Sequence, residues 1–230
     1  WNTALTYDEV KELYADSVVK DATTHSKAND HLLGYWRNDG VTTWTDRGNI
    51  QAIGFDGADD GIRIPTSFQF ALDDYATGAY SIWFYAHDQN PSAVQYIVGA
   101  RDGETNTRVY IQIRSEGLRI AQGDTFSSYV SYSANQWNNI LVSWSSGTAT
   151  FYLNGSQAGQ FSFSTAMCRN VFDFILGGSY TASGSFFNGN LGQFALWNTA
   201  QDSNISAIYA LGRKGSLSNY SNGLQINYLL

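Results

Sequence analysis

The stretch Arg101-Asp102-Gly103-Glu104-Thr105-Asn106 places a guanidinium, two carboxyls and an amide side by side. Planar polar groups of this kind bond sugar hydroxyls when aromatic rings nearby cover the C–H faces of the sugar. Arg101, Asp102 and Asn106 are therefore candidate glycan-binding residues. A second candidate chemistry is calcium ligation by Asp59 and Asp60, because hard cations collect several oxygens. Cys168 is the one cysteine, so the chain has neither an internal disulfide nor a cysteine-based zinc site.

These residues must be positioned by an extended scaffold. Within 230 residues, two Pro, 22 Gly and 15% aromatic residues describe strands joined by tight polar turns, in one principal domain. The formal net charge of −7 would repel a phosphate backbone, so nucleic acid is not an expected partner. No apolar run approaches the roughly 18 residues that a spanning helix needs, so no membrane association is expected. A lone cysteine leaves the compartment open.

Leu5, Val10, Leu13 and Tyr14 among charged residues predict a short helix over 5–15, with Thr6 and Glu9 at capping-box spacing. Residues 18–30 read as a polar loop. Strand signals follow at Leu32–Trp36, Gln51–Phe55, Gly61–Ile64 and Ala79–His87, the last a continuous run suited to burial on both faces. The clearest alternation is Arg108 to Arg114: Val109, Ile111 and Ile113 share one face, while Arg108, Tyr110, Gln112 and Arg114 share the other. One face must be core and the other solvent or ligand. Gly117–Ala121 follows a tight turn, and Asn138–Trp144 pairs with Thr148–Leu153 across Ser145-Ser146-Gly147. Asn154-Gly155 makes a further turn, and Phe172–Leu176 and Leu191–Trp197 complete the set. About a dozen strands imply an antiparallel sandwich or barrel. A second helix, near Asp202–Leu211, is expected to cap one end.

Trp1-Asn2-Thr3-Ala4 recurs as Trp197-Asn198-Thr199-Ala200, and each copy leads into an amphipathic stretch ending in Tyr-Ala. Such self-similarity marks a tandem array, so the chain is expected to be a segment of a longer modular polypeptide. On that reading residues 1–30 are the tail of a preceding repeat, 31–212 are the principal domain, and 213–230 are a C-terminal strand segment that could begin a further repeat.

The segment Phe55-Asp56-Gly57-Ala58-Asp59-Asp60-Gly61-Ile62-Arg63-Ile64-Pro65 resembles the laminin-G-like, concanavalin-A-like lectin jelly-roll domains. Tyr80-Ser81-Ile82-Trp83-Phe84, Gln136-Trp137-Asn138-Asn139-Ile140, Phe151-Tyr152-Leu153-Asn154-Gly155, Ile175-Leu176-Gly177-Gly178 and Phe187 to Asn198 come next in the family's order. The resemblance covers residues 32 to about 210. It implies an all-β fold, a two-sheet antiparallel jelly-roll sandwich with short helices at the N- and C-terminal ends, whose concave side binds ligand. The linker Thr24-His25-Ser26-Lys27-Ala28-Asn29, with Gly34-Tyr35-Trp36-Arg37-Asn38-Asp39-Gly40 and Thr43-Trp44-Thr45-Asp46, is similar to repeats in structural proteins of tailed bacteriophages.

The resemblance also implies which chemistries to look for. Retaining glucanases of the superfamily set a carboxylate pair on one strand, about 5 Å apart. Here the glutamates are Glu9, Glu12, Glu104 and Glu116, and no such pair exists. His25, His31 and His87 are not placed as the alginate-lyase relatives require. In the family motif, Asp59 and Asp60 belong to a hairpin turn whose Asp side chains bond backbone. The loop that carries calcium acids in pentraxins is here Ser179-Tyr180-Thr181-Ala182-Ser183, without a carboxylate. No catalytic residue, metal or cofactor is expected.

The family layout would bring Tyr180, with Phe186 and Phe187, beside the Arg101–Asn106 loop. Arg101, Asp102, Asn106 and Tyr180 are then expected to bind a neutral or weakly polar glycan. Trp36, Trp83, Trp137, Trp144 and Trp197 read as core. The function expected is a non-enzymatic virion structural or adhesion module, a phage fibre or capsid decoration, at the virion surface or extracellular. The alternative is a carbohydrate-binding module of a secreted bacterial enzyme. Expected partners are a glycan, neighbouring repeats or virion proteins, with oligomeric assembly compatible.

Overall fold

The computed structural model describes residues 5–6, 26, 52–64, 77–102, 108–123, 125–163, 171–179 and 185–230. The chain divides into two compact units, residues 1–50 and 51–230. In the first, Leu5 is half-buried, and Thr6 and Ser26 are exposed. The helix expected over 5–15 and the strand at 32–36 lie outside the described residues, as do Trp36 and Trp44.

The second unit consists of β1 (Ile53–Asp56), β2 (Ile62–Ile64), β3 (Thr77–Ala86), β4 (Gln95–Asp102), β5 (Arg108–Arg114), β6 (Gly117–Gly123), β7 (Thr125–Phe126), β8 (Trp137–Ser145), β9 (Thr148–Leu153), β10 (Ser156–Ser162), β11 (Val171–Leu176), β12 (Asn188–Trp197), the helix α1 (Ile205–Ala210) and β13 (Leu224–Tyr228). One sheet has seven strands in the order β1-β12-β3-β8-β9-β10, with β13 also on β12; the other has six, β2-β11-β4-β5-β6-β7. Every pairing is antiparallel. β1 and β13 divide one edge of β12 between them, β1 along Asn188–Leu191 and β13 along Phe194–Trp197. The fold is the all-β, two-sheet antiparallel sandwich that the sequence implies, and α1 is the one α-helix among the described residues. Residues 213–230 lie within this unit.

The turns arise from residues that tolerate positive φ. Ser146 and Gly147 join β8 to β9 at φ 50° and 77°, and Asn154 and Gly155 join β9 to β10 at 52° and 79°. Positive φ at both central residues gives a tight hairpin the twist that its strands require.

The core lies between the sheets. Val109, Ile111 and Ile113 from one sheet and Ile140, Val142 and Phe151 from the other are buried in a single cluster, with Leu153 half-buried against it. Their period-two spacing turns every second side chain inward.

A second, smaller cluster forms on the outer face of the seven-stranded sheet. Ile205 and Ile208 of α1 and Leu217 pack there against Ala79, Leu141, Ala195 and Trp197. The helix expected over 202–211 is present, but it lies across a sheet face and does not cap an end. The small Ala79 and Ala195 leave room for it, and a helix of six residues depends on such packing because its own nucleation is unfavourable.

The Trp-Asn-Thr-Ala tetrapeptide directs this arrangement. Trp197 is fully buried and its Nε1 donates to the Tyr220 carbonyl at 2.7 Å. Asn198 N donates to Gly223 O at 2.8 Å and Thr199 Oγ1 to Asn222 O at 3.0 Å. Ala200 N donates to Thr77 Oγ1 at 3.1 Å. The chain leaving β12 is thereby tied to the turn before β13 and to the start of β3.

Candidate functional site

β5 carries the alternation read from the sequence. Val109, Ile111 and Ile113 enter the core, and Tyr110, Gln112 and Arg114 stand on the opposite, outer face of the six-stranded sheet. A two-residue turn, Ser115-Glu116, reverses the chain into β6. Gly117 comes next at φ +123°, where a Cβ would come within 2.6 Å of the Val130 carbonyl oxygen, so a side chain is excluded. The register then sets Arg119 opposite Gln112 and Ala121 opposite Tyr110. On the other side of β5, Tyr96 stands opposite Gln112 and Gly99 opposite Tyr110, and Phe126 faces Ala121 across β6. Tyr96, Tyr110, Gln112, Arg114, Arg119 and Phe126 thus share one face.

Gln112 is 1% exposed, yet it lies outside the sandwich core. It is covered because two guanidinium groups close over it: Arg114 Nε and Arg119 Nη2 donate to the same Oε1, at 3.0 and 3.2 Å. The Arg119 guanidinium also lies 4.3 Å from the Phe126 ring centroid and 5.0 Å from that of Tyr129. The Tyr96 and Tyr110 rings meet edge to face at 5.0 Å. Stacking and hydrogen bonding together fix the position of Arg119.

The electrostatics of this cluster are unusual. Among the described residues, no carboxylate lies within ion-pair distance of Arg114 or Arg119. Two cations on one oxygen can be only about 6 Å apart, and at that separation their repulsion is of order 1–3 kcal/mol before salt screening. The Arg119 pKa is lowered chiefly by burial; the Arg114 charge adds to this, while Tyr129, Tyr96 and Glu116 oppose it. Arg119 Nε is buried and has no acceptor among the described residues. Glu116 is exposed and accepts from Ser115 Oγ at 2.8 Å; its carboxyl is held below the usual range by that bond first, with smaller contributions from both arginines.

Of the candidate glycan-binding residues that the sequence singled out, the structure describes only the backbones of Arg101 and Asp102. Arg101 and Asp102 end β4, paired in the ladder with Asp173 and Val171 of β11, and Arg101 also with Arg108 of β5. Their side chains, and Asn106 and Tyr180 entirely, lie outside the described residues. Asp102 ends β4, whereas near the start of that strand Tyr96 N donates to Ser185 O at 3.0 Å and Gly177 N to Ile97 O at 2.9 Å.

The arginine pair and its tyrosines were missed as a group. Alternation placed Tyr110, Gln112 and Arg114 on one face, and counting back across the Ser115-Glu116 turn would have placed Arg119 beside Gln112. Tyr96 had no such signal, because β4 shows no clean alternation and is bulged between Tyr96 and Val98.

Trp144 and Trp197 are core residues, as expected, but Trp83 and Trp137 are not. Both are half-buried and belong to the outer face of the seven-stranded sheet. Trp83 stacks on Tyr209 of α1 at 5.5 Å and 12°. Trp137 meets Tyr85 edge-on at 5.8 Å and carries the Arg213 guanidinium 4.6 Å from its ring centroid. Their faces are occupied by the helix and the chain after it. His87 succeeds β3 and is exposed, with Nδ1 3.1 Å from Asn188 Oδ1.

Asp56, Asp59 and Asp60 bring carboxylate oxygens within 4.8 Å of one another. Two of them already serve the turn: Asp56 Oδ1 accepts from Ala58 N at 2.8 Å, and Asp60 Oδ2 from Asp56 N at 3.0 Å. The side chains bond backbone as the motif implies, but the turn is not a hairpin, because it joins β1 of one sheet to β2 of the other. No helix among the described residues is long and apolar enough to cross a membrane.

Comparisons with known proteins agree with the fold. Trypanosoma rangeli sialidase in complex with the inhibitor DANA superposes with a TM-score of 0.55 at 17% identity, over 69% of this chain and 27% of the sialidase. This chain thus spans about a quarter of that enzyme. The CBM40 of Ruminococcus gnavus IT-sialidase, bound to α2,3 sialyllactose, superposes at 0.54 with 13% identity, over 69% of this chain and 96% of that one. Domain 4 of AbnA, a GH43 extracellular arabinanase from Geobacillus stearothermophilus, in complex with arabinotriose, gives 0.52 and 18%, over 69% and 76%. A sequence search of curated proteins found no match. The family model of the concanavalin A-like lectin/glucanases superfamily matches residues 56–204, most of the sandwich, and the chain belongs to that superfamily.

Proposed function

We propose that this protein is a non-enzymatic glycan-binding module. The observation that carries the reading is the outer face of the six-stranded sheet, where Tyr96, Tyr110, Gln112, Arg114 and Arg119 combine aromatic rings with planar polar groups. That combination recognises sugars and supplies no general acid and nucleophile pair. Two of the solved neighbours carry glycans, sialyllactose in one and arabinotriose in the other, which supports the reading. Arg101, Asp102, Asn106 and Tyr180, read from the sequence, are proposed to add contacts to the glycan, without a metal.

The recurrence of Trp-Asn-Thr-Ala favours a module repeated along a surface protein, a phage fibre or capsid decoration at the virion surface, with neighbouring repeats or virion proteins as partners. Repetition would also compensate for weak single sites through effective concentration. The alternative, a carbohydrate-binding module of a secreted bacterial enzyme, is favoured by a different observation: the Ruminococcus and Geobacillus neighbours are domains of glycan-processing enzymes.

A glycan array probed with the chain and with a Tyr180→Ala variant, each with and without chelator, tests the reading. Chelator-independent binding that weakens in the variant is expected. Absence of binding to every glycan would overturn it, and binding abolished by chelator would overturn the metal-free mechanism.

A further inference from the structure

We propose that Arg114 and Arg119 form a carboxylate-binding subsite, so that the glycan this face takes is an acidic one. The proposal rests on the glycan-module reading and names the charge of its ligand, where the sequence alone pointed to neutral sugars. The difference arises from a juxtaposition that only the β5–β6 register creates.

Arginines that serve structure are ordinarily paired with acids. This chain has 20 Asp and Glu residues against 13 Lys and Arg, yet among the described residues none lies within ion-pair distance of either guanidinium, and the exposed Glu116 acts on them only through its charge at longer range. Both instead donate to a neutral amide oxygen, which orders them without cancelling their charge. Gln112 is held in place by burial, and Arg119 is further fixed over Phe126 and Tyr129. Two pre-positioned planar forks with no acid in ion-pair contact are what a carboxylate requires, since Arg–carboxylate pairs are bidentate and stronger than neutral hydrogen bonds.

Tyr96 stands on the same face, opposite Gln112 in the ladder, and its ring meets that of Tyr110. An aromatic group beside a cation pair suits a pyranose ring whose carboxylate is attached to a C–H-rich face. The net charge of −7 disfavours long polyanions over short acidic sugars, so selectivity falls on the sugar unit seated at the arginines.

The test titrates the chain with trigalacturonic acid and with N-acetylneuraminic acid, each beside its methyl ester, and with inorganic phosphate. It repeats the titrations on Arg119→Gln and Gln112→Glu. At least one acid should bind, its ester should be weaker by roughly tenfold or more, and affinity should fall with added salt. Gln112→Glu is the decisive variant, because it keeps the side-chain size and supplies the missing carboxylate from within. It should unfold at no lower a temperature than the parent and still lose acid binding, as should Arg119→Gln. Binding of neither acid, equal binding of acid and ester, phosphate binding as tight as the sugar acid, or undiminished binding by Gln112→Glu would overturn the subsite. If neutral glycans bind the parent and both variants alike, the glycan-module reading stands and the acidic specificity falls.

Discussion

Gln112 of β5 and Arg119 of β6 face each other across the ladder, and Arg119 Nη2 donates to Gln112 Oε1 at 3.2 Å. Arg114 Nε reaches the same oxygen at 3.0 Å. Replacing Gln112 by Leu would keep its bulk and remove the acceptor of both cations. Gln112→Leu is expected to destabilise the fold by about 1–3 kcal/mol, the cost of leaving donors partly buried and unpaired. Urea unfolding monitored by tryptophan fluorescence measures this; an unchanged midpoint would show that solvent satisfies both arginines.

Gly223 closes the turn that receives the tetrapeptide leaving β12. It sits at φ +74°, and a Cβ there would overlap Thr199 Oγ1 and Asn198 Oδ1. Gly223→Ala is expected to cost roughly 1–3 kcal/mol through backbone strain and that overlap. The loss should appear as a lowered thermal midpoint. A midpoint equal to the parent's would mean that the turn relaxes freely and that the tetrapeptide does not depend on it.

Much of the sandwich was legible because alternate residues along β5 and β9 are apolar, β8 carries the apolar run Ile140-Leu141-Val142, and the turns around them carry Gly or Asn. The hairpins around Ser146-Gly147 and Asn154-Gly155 are local, so sequence spacing alone sets their register. β4 and β10 were not recognised as strands, since Gln95–Asp102 lacks alternation and Ser156–Ser162 is largely polar on both faces. The location of α1 was not readable either, because Ala79 and Ala195 give no hint in sequence that they floor a helix. For the site, alternation along β5 sets Tyr110, Gln112 and Arg114 on one face, but Arg119 and Tyr96 join them only through the pairing of β6 and β4 with β5, which spacing along one strand does not show.

Asp202 accepts from Tyr152 Oη at 2.7 Å and from Ser143 Oγ at 2.6 Å, joining the start of the helical segment to β8 and β9. The Tyr152 pKa is pushed up to about 12, first by burial and then by the bond to Asp202 and its charge. A phenol raised in this way stabilises the folded state fully below its ordinary value near 10, and that contribution is lost as pH climbs from about 10 to about 12. Tyrosinate absorbance should therefore include one late-titrating tyrosine that moves to lower pH in Asp202→Asn. Identical titration curves for the two proteins would refute the assignment.

Calcium should leave the thermal midpoint unchanged, because the carboxylates of Asp56 and Asp60 are already used by backbone donors in their own turn. Thermal scans with millimolar calcium and with chelator check this. A saturable rise with calcium would identify the aspartate cluster as a metal site.

The central claim is that this sandwich binds a glycan and leaves it intact. Its most direct test is a two-dimensional amide NMR titration of the chain with the strongest array ligand, with the sugar's own signals followed for a day. The account predicts saturable shifts centred on Tyr96, Gln112, Arg114 and Arg119 and an unaltered sugar spectrum. Shifts confined to the opposite sheet, or the growth of cleavage products, would contradict it.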